Sequence, residues 1–300
     1  MVRMEHILQN VIKMMLAQEF KQELVSDQKD YAIQQKLDGC RYNLRLSKDR
    51  GVELIGRHSN KINNYKYPEI VSEAIQLIRD YPIVLDGELC VSTTYGTWEL
   101  TNFNAIQSRE HTENKKQIEL LSRCLPAKFI VFDILTEGTD KMTLKERIDV
   151  MQMFFGQYPQ LRHIKLIYST IGTMDLATKL FQQAQALGLE GIMIKDLDSL
   201  YEDRRSNAWL KWKTYKEEDL KIIGYTSKGR DISALILENG SKVNAIIDEQ
   251  MHDFIIKQDI SIKKETSEEM QYYFSKPSLT AVVKYLEKTE QGALRFPVLK

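Results

Sequence analysis

Apolar positions along this chain recur with two different periods, and where one gives way to the other sets the predicted elements. Met4, Ile7, Leu8, Val11, Ile12, Met15 and Leu16 fall at i, i+3, i+4, i+7, i+8, i+11 and i+12, which predicts an amphipathic helix packed on a core. From about residue 30 short strand-like runs take over, at 31–37, 42–46, 52–56, 83–91 and 128–135. Two helical patterns, 68–80 and 144–155, interrupt them. A strand at 164–169, a helix from Met174 stopped by Gly188, and strands at 191–195 and 209–213 complete a mixed α+β domain over 1–214. Beyond a polar stretch, TYKEED at 214–219, the pattern changes to strands at 220–225, 232–237, 242–247 and 281–286, with Gly229 and Gly240 at turns. A small β-barrel domain over 215–300 is the expectation. Residues 249–278 are charged and fit neither period, and no internal repeat or low-complexity tract occurs.

Composition narrows the class. Three hundred residues, 43% hydrophobic and 28% charged, are ordinary for a soluble globular chain of two domains, which excludes collagen-like, disordered and disulfide-scaffold proteins. Lys+Arg and Asp+Glu both number 42, so there is no global positive field, and a nucleic-acid partner would be held by local patches. Cys40, Cys90 and Cys124 are an odd number at wide spacings without a C-x-x-C pair, which predicts buried thiols in a reducing compartment and argues against a zinc module. No apolar run approaches the roughly 20 residues of a membrane span. Arg3, Glu5 and His6 stand where a signal peptide needs its apolar core. An intracellular protein with no membrane partner is expected.

Candidate chemistry begins at Lys36-Leu37-Asp38-Gly39, at the end of an apolar strand. In an extended chain Lys36 and Asp38 share a face, and Gly39 allows a sharp turn after them. Alone this is equally a solvated turn. Asp86-Gly87-Glu88 lies inside an apolar run, Glu190 and Gly191 follow a helix end, and Lys211 and Lys213 alternate with Leu210 and Trp212 on a strand. Each charge sits in sequence that wants burial, and a buried charge is costly unless paired or bound to a ligand. Internal ion pairs or solvated edge lysines also satisfy any one segment.

Taken in order, KLDGCR (36–41), Gly56-Arg57, LDGE (85–88), VFDIL (131–135), EGIMIK (190–195) and WLKWK (209–213) resemble the covalent nucleotidyltransferase superfamily, most closely the ATP-dependent DNA ligases. The tail KYLEKTEQGALRFP (284–297) resembles the last strands of a ligase oligonucleotide-binding barrel. The resemblance implies an α+β nucleotidyltransferase (adenylation) domain with antiparallel sheets and flanking helices, followed by a small OB-fold β-barrel. It implies a monomer that seals 5′-phosphate/3′-OH nicks in duplex DNA, with ATP and Mg²⁺ or Mn²⁺ as cofactors. No G-x-x-x-x-G-K-[ST] stretch occurs, so the triphosphate has to be held by side chains from several strands.

The same match assigns roles. Lys36 is the nucleophile that carries AMP, and it must lose its proton although an unperturbed lysine titrates at about 10.4. Asp38 acts with it in phosphodiester formation. Glu88 and Glu190 are oxygen ligands for the metal, with the ribose hydroxyls an alternative target. Lys211 and Lys213 grip the α-phosphate. Phe132 stacks on adenine with Met193 opposite, although packing in the core is an alternative for both. Arg41 and Arg57 contact ribose or the nick 5′-phosphate, where a guanidinium fork suits phosphate geometry, and Arg205 is a further phosphate contact.

Within the superfamily EGIMIK and the LRFP tail favour a ligase over a capping guanylyltransferase, and RNA ligases are the nearer alternative. Only 35 residues precede Lys36, and zinc-binding cysteines are missing, which favours ATP over NAD as donor and a minimal two-domain enzyme of viral, phage or bacterial accessory type. In the family the barrel swings about a hinge, here expected at TYKEED, to orient pyrophosphate. The sequence stops at Lys300, about three residues short of where the family's final basic motif is expected; either Arg295 or Lys300 substitutes, or the first step is impaired and the protein is a nick binder of ligase ancestry. Residues 249–278 form either a DNA-embracing insertion or a connection between barrel strands.

Overall fold

A computed structural model of the chain describes residues 13–57, 61–62, 64–228, 231–244, 249–266, 269–289 and 291–300. It separates into two compact units, Met1–Lys213 and Thr214–Lys300. Both are rich in sheet, and the fold class is mixed α+β.

The first unit contains β1 (Leu16–Glu19), β2 (Tyr31–Gln35), β3 (Cys40–Ser47), β4 (Gly51–Gly56), β5 (Lys61–Ile62), β6 (Ile83–Cys90), β7 (Ser92–Tyr95), β8 (Trp98–Thr101), β9 (Lys128–Leu135), β10 (Ile164–Leu166), β11 (Ser169–Gly172), β12 (Gly191–Asp196) and β13 (Arg205–Lys213). One sheet runs β1-β13-β12-β2-β11 and the other β10-β9-β6-β3-β4-β5, with β7 and β8 as a separate hairpin. Each sheet has its own core. Leu44, Leu54, Leu85, Phe129 and Val131 pack with Ile70 and Ala74 of the helix Pro68–Ala74 and with Ile148 and Met151 of Leu144–Gly156. Tyr31, Ile33, Ile192, Ile194 and Leu210 pack with Met174 and Ala177 of Met174–Ala186. Period-2 alternation then turns Met193, Lys195, Trp209, Lys211 and Lys213 to the opposite face of the first sheet, where the site forms.

Several expectations change. Met15 and Leu16 are not helical: Leu16–Glu19 is a strand, paired in parallel with β13. Met4, Ile7, Leu8, Val11 and Ile12 lie outside the described residues. The helices Phe103–His111 and Lys115–Cys124 went unread because they advertise themselves by caps more than by apolar period: Asn102 accepts from the Ala105 N–H, and Asn114 from those of Lys116 and Gln117. The 144–155 helix is present as Leu144–Gly156, closed by a Thr143/Glu146 capping box. Of the three cysteines only Cys90 is buried; Cys40 is half-buried and Cys124 exposed. Among the described residues no helix is long and apolar enough to cross a membrane.

The second unit holds β14 (Lys216–Lys228), β15 (Asp231–Leu237), β16 (Lys242–Val243), a helix Glu249–Ile256, β17 (Ile260–Glu265), β18 (Met270–Phe274), β19 (Leu279–Tyr285) and β20 (Val298–Leu299). Most of TYKEED is therefore strand. Lys216 to Asp219 pair with Tyr285 to Val282, so a hinge placed there has only Thr214 and Tyr215 outside the ladder. Further along, β14 exchanges β19 for β18 at Gly224, where an added Cβ would stand 2.1 Å from the Tyr272 carbonyl oxygen. Leu220, Ile222, Leu235, Val243, Phe274 and Val283 form the core. The pairings among the described residues do not close into a ring. Within 249–278 lie the helix and the hairpin strands β17 and β18, and within the expected strand 242–247 residues 245–247 lie outside the described ones.

Candidate active site

Two glycines bring the reacting strands together. Lys36, just past β2, donates its backbone N–H to the Gly191 carbonyl at 2.9 Å, at the start of β12. Gly191 has φ 140, and a Cβ there would lie 2.0 Å from the Trp212 carbonyl oxygen, so only glycine allows β13 to approach. Gly39 is at a bend between β2 and β3, as its motif suggested. Its φ is not positive, and what it provides is clearance, since a Cβ would meet the Leu89 carbonyl oxygen of β6 at 2.4 Å.

This backbone presents Lys36 Nζ to Glu190 Oε2 at 2.6 Å. Burial pushes the Glu190 carboxyl upward against the opposing pull of Lys36. Glu88, on β6, is pushed up to about 8 by burial, again against Lys36 and also Arg41. Two carboxyls whose charged forms are made costly by burial are a suitable partial ligand set for a cation. Among the described residues no group of three or more His, Cys, Asp or Glu could hold a metal. Magnesium commonly takes one or two carboxylates and completes its shell with phosphate oxygens and water, which these two residues fit.

Lys36, Arg41, Arg57, Glu88, Phe132, Met193, Arg205 and Lys211 all line one cavity of about 250 Å³. Lys213 stands two positions beyond Lys211 on the same strand, and both ammonium groups approach Glu19 Oε1, at 3.0 Å from Lys211 and 3.4 Å from Lys213. Asp38 is half-buried beside Lys36, and its charge acts to raise the Glu190 pKa.

Arg41 is held by neighbours on the cavity wall. Its Nε and Nη2 donate to Asp86 Oδ1 and Oδ2 at 2.9 and 2.6 Å, and its Nη1 to the Met15 carbonyl at 2.7 Å. Tyr201 donates to Asp86 Oδ2 at 2.8 Å and accepts the Met15 N–H. Three of the five guanidinium N–H groups are thus committed to Asp86 and Met15, which fixes Arg41 against the cavity wall. Arg57 is exposed at the cavity. Arg205 is exposed as well, and Nη1 donates to the Ala17 carbonyl.

Two functional candidates were missed. Lys195 is 1% exposed, with Nζ 3.8 Å from the Trp209 ring centroid and 4.6 Å from that of Phe132. Burial lowers it to about 7, and Nζ has no hydrogen-bond acceptor among the described residues. Gln34 is the counterpart: Nε2 donates to Ser169 Oγ at 2.8 Å while Oε1 is buried and unpaired. Both line the cavity. An orphaned donor and an orphaned acceptor beside aromatic rings suit a flat heterocycle with a polar edge. The alternation Gly191, Met193, Lys195 in EGIMIK was the available signal; Gln34 had none.

A lysine hydrogen-bonded to a carboxylate, a second carboxylate and a lysine pair around such a cavity define a site for covalent transfer of a nucleotide. Residues 14–213 match the family model described as ATP dependent DNA ligase domain, and the chain belongs to that family. It is 31% identical over 275 residues to the SPbeta prophage-derived DNA ligase-like protein LigB of Bacillus subtilis (strain 168), covering 89% of this chain and 91% of LigB. To the bifunctional non-homologous end joining protein LigD of the same organism it is 25% identical over 289 residues, covering 89% of this chain but only 45% of LigD. A solved structure from a study of Lig E DNA ligases superposes with a TM-score of 0.68 at 16% identity, over 97% of this chain and 99% of that one, a likeness of fold.

Proposed function

We propose that this ATP-dependent DNA ligase seals 5′-phosphate/3′-OH nicks in duplex DNA, with Lys36 as the nucleophile. The observation that carries the assignment is the Lys36 Nζ to Glu190 Oε2 hydrogen bond at 2.6 Å, at the edge of the one cavity that also receives Glu88 and Lys211. Glu190 accepts from Nζ and holds it at the cavity, and Nζ sheds its proton to solvent before it reacts. The freed lone pair attacks the α-phosphorus of ATP, a P–N bond forms, and pyrophosphate leaves. The nick 5′-phosphate oxygen then attacks that phosphorus and Lys36 departs. Finally the 3′-hydroxyl attacks the nick phosphate, with Asp38 beside it, and AMP leaves.

Lys211 and Lys213 carry the charge on the α-phosphate, and Glu88 and Glu190 would hold a divalent metal, which when bound neutralises phosphate charge. Phe132 and Met193 flank the adenine, with Gln34 and Lys195 at its polar edge. Arg57 and Arg205, exposed at the cavity mouth, are assigned to the nick phosphates. Residues 1–214 are read as the adenylation domain. Residues 215–300 are read as an OB-fold, supported by the antiparallel sheet in which the long β14 changes partner at Gly224.

Incubation with α-labelled ATP and Mg²⁺ should give an acid-labile covalent adduct that moves to a 5′-phosphorylated nick and is released on sealing. ATP should be strongly preferred over GTP and NAD. An unlabelled protein would be a nick binder of ligase ancestry, and sealing confined to RNA strands would make it an RNA ligase.

A further inference from the structure

Glu19 belongs to none of the motifs of the site, yet its carboxylate contacts both lysines of the pair. One oxygen, Oε1, is 3.0 Å from Lys211 Nζ and 3.4 Å from Lys213 Nζ. The arrangement is set by backbone. β1 runs parallel to β13 with Glu19 in register with Lys211, the Phe20 N–H donates to the Lys211 carbonyl at 2.9 Å, and the Phe20 ring stacks 4.2 Å from Trp212 on the other face. The lysine side chains are 23% and 13% exposed, whereas that of Glu19 is 53% exposed and has open solvent to move into. Lys211, Leu16 and Ala17 all line the nucleotide cavity, so the carboxylate stands at its border.

We propose that Glu19 is a built-in counter-anion for the phosphate-binding lysines, bridging Lys211 and Lys213 until the triphosphate displaces it. The inference rests on the reading of these lysines as the phosphate-binding pair. Two ammonium groups two residues apart on one strand face repel each other, and a shared carboxylate offsets that repulsion. The same contact sets a threshold for ligands. A triphosphate carries enough charge to outcompete one exposed carboxylate, while inorganic phosphate carries much less. Glu19 is thus a positioning residue that also discriminates among anions.

The test compares wild type with Glu19→Gln, which keeps the shape and removes the charge. Self-adenylylation rates give KM for ATP and kcat, and inorganic phosphate is titrated as inhibitor. An exposed ion pair is weak, so KM for ATP should fall about two- to fivefold. Inhibition by phosphate should tighten by at least that factor, with kcat held within about twofold and an unchanged thermal midpoint. Unchanged phosphate inhibition, or a raised KM, overturns the proposal, since a purely structural Glu19 would weaken binding and lower the midpoint. Lys211→Ala separates the two levels of inference: if it binds ATP as wild type does, the phosphate-pair reading fails first, whatever Glu19 does.

Discussion

Lys36 and Lys195 face one cavity from neighbouring strands with opposite surroundings, one against a carboxylate and one between aromatic rings. Lys36→Ala should abolish the covalent adduct and the sealing of ordinary nicks while leaving the fold intact, because Lys211 is paired with Glu19 and Lys195 is buried against the rings of Phe132 and Trp209; residual labelling from ATP would refute the assignment. Lys195 makes a prediction about pH. Burial holds it near 7, whereas the unfolded chain keeps the ordinary value of 10.5, so between these pH values the unfolded state binds more protons. Stability therefore rises with pH across that window and is lost as pH falls through 7. Lys195→Met removes this dependence. Its stability relative to wild type should grow by a few kcal/mol, in order of magnitude, from pH 10.5 down to 7, read as urea midpoints at several pH values. Arg41→Ala strands Asp86, which is 0% exposed, and should cost about 3–5 kcal/mol of stability; a loss of nick affinity with stability intact would favour the DNA-contact role.

At the scale of elements, the site depends on strands packed more closely than side chains permit. Gly191→Ala would force apart β12 and β13 and carry Glu190 away from Lys36. It should lower stability by more than about 2 kcal/mol and slow adenylylation more than Thr143→Ala, which loses only a helix cap worth about 1 kcal/mol. Denaturation and labelling rates on the two variants decide it. The hairpin of β7 and β8 is tied to β2 by paired hydrogen bonds between Gln35 and the Glu99 backbone, at 2.6 and 2.8 Å, one residue before Lys36. Glu99 in turn accepts from Ser92, Thr94 and Lys128, so the strand that ends at the nucleophile is braced by this hairpin.

For the whole molecule the governing fact is a formal net charge of zero. DNA binding has to come from local basic side chains such as Arg57 and Arg205. If about 4 to 6 phosphates are neutralised, log K should fall against log[salt] with a slope of roughly −4 to −5. A nick bearing a 5′-phosphate should bind more tightly than intact duplex. Salt-independent binding, measured by titration at several ionic strengths, would contradict this. At the end of the chain Arg295 is paired with Glu287 and Lys300 Nζ lies 2.9 Å from Glu217 Oε2. Either residue must give up a partner before it can act on pyrophosphate.

What the sequence determined by itself was chemistry and local period. The run Lys128–Leu135 is a strand at the bounds its apolar residues predict, the motifs at 36–41 and 190–195 place Lys36 and Glu190 at strand ends, and 209–213 places Lys211 and Lys213 on a strand whose alternation is written in the chain. Where a side chain found its partner was decided by tertiary pairing. Met15 and Leu16 fit a helical period, but pairing with β13 draws Leu16 into β1 and Tyr201 holds the Met15 N–H just before it. TYKEED is polar because its side chains are largely solvated, yet its backbone completes a ladder with β19. Arg41 was legible as an arginine beside the nucleophile, but only the pairing of β3 with β6 sets it opposite Asp86, a buried anion that takes its fork. Lys195 and Glu19 show the same limit. A sequence displays a charge, while burial between two rings or a shared position between two lysines exists only once the strands are in register, because Coulomb and desolvation energies depend on distances the linear chain does not contain.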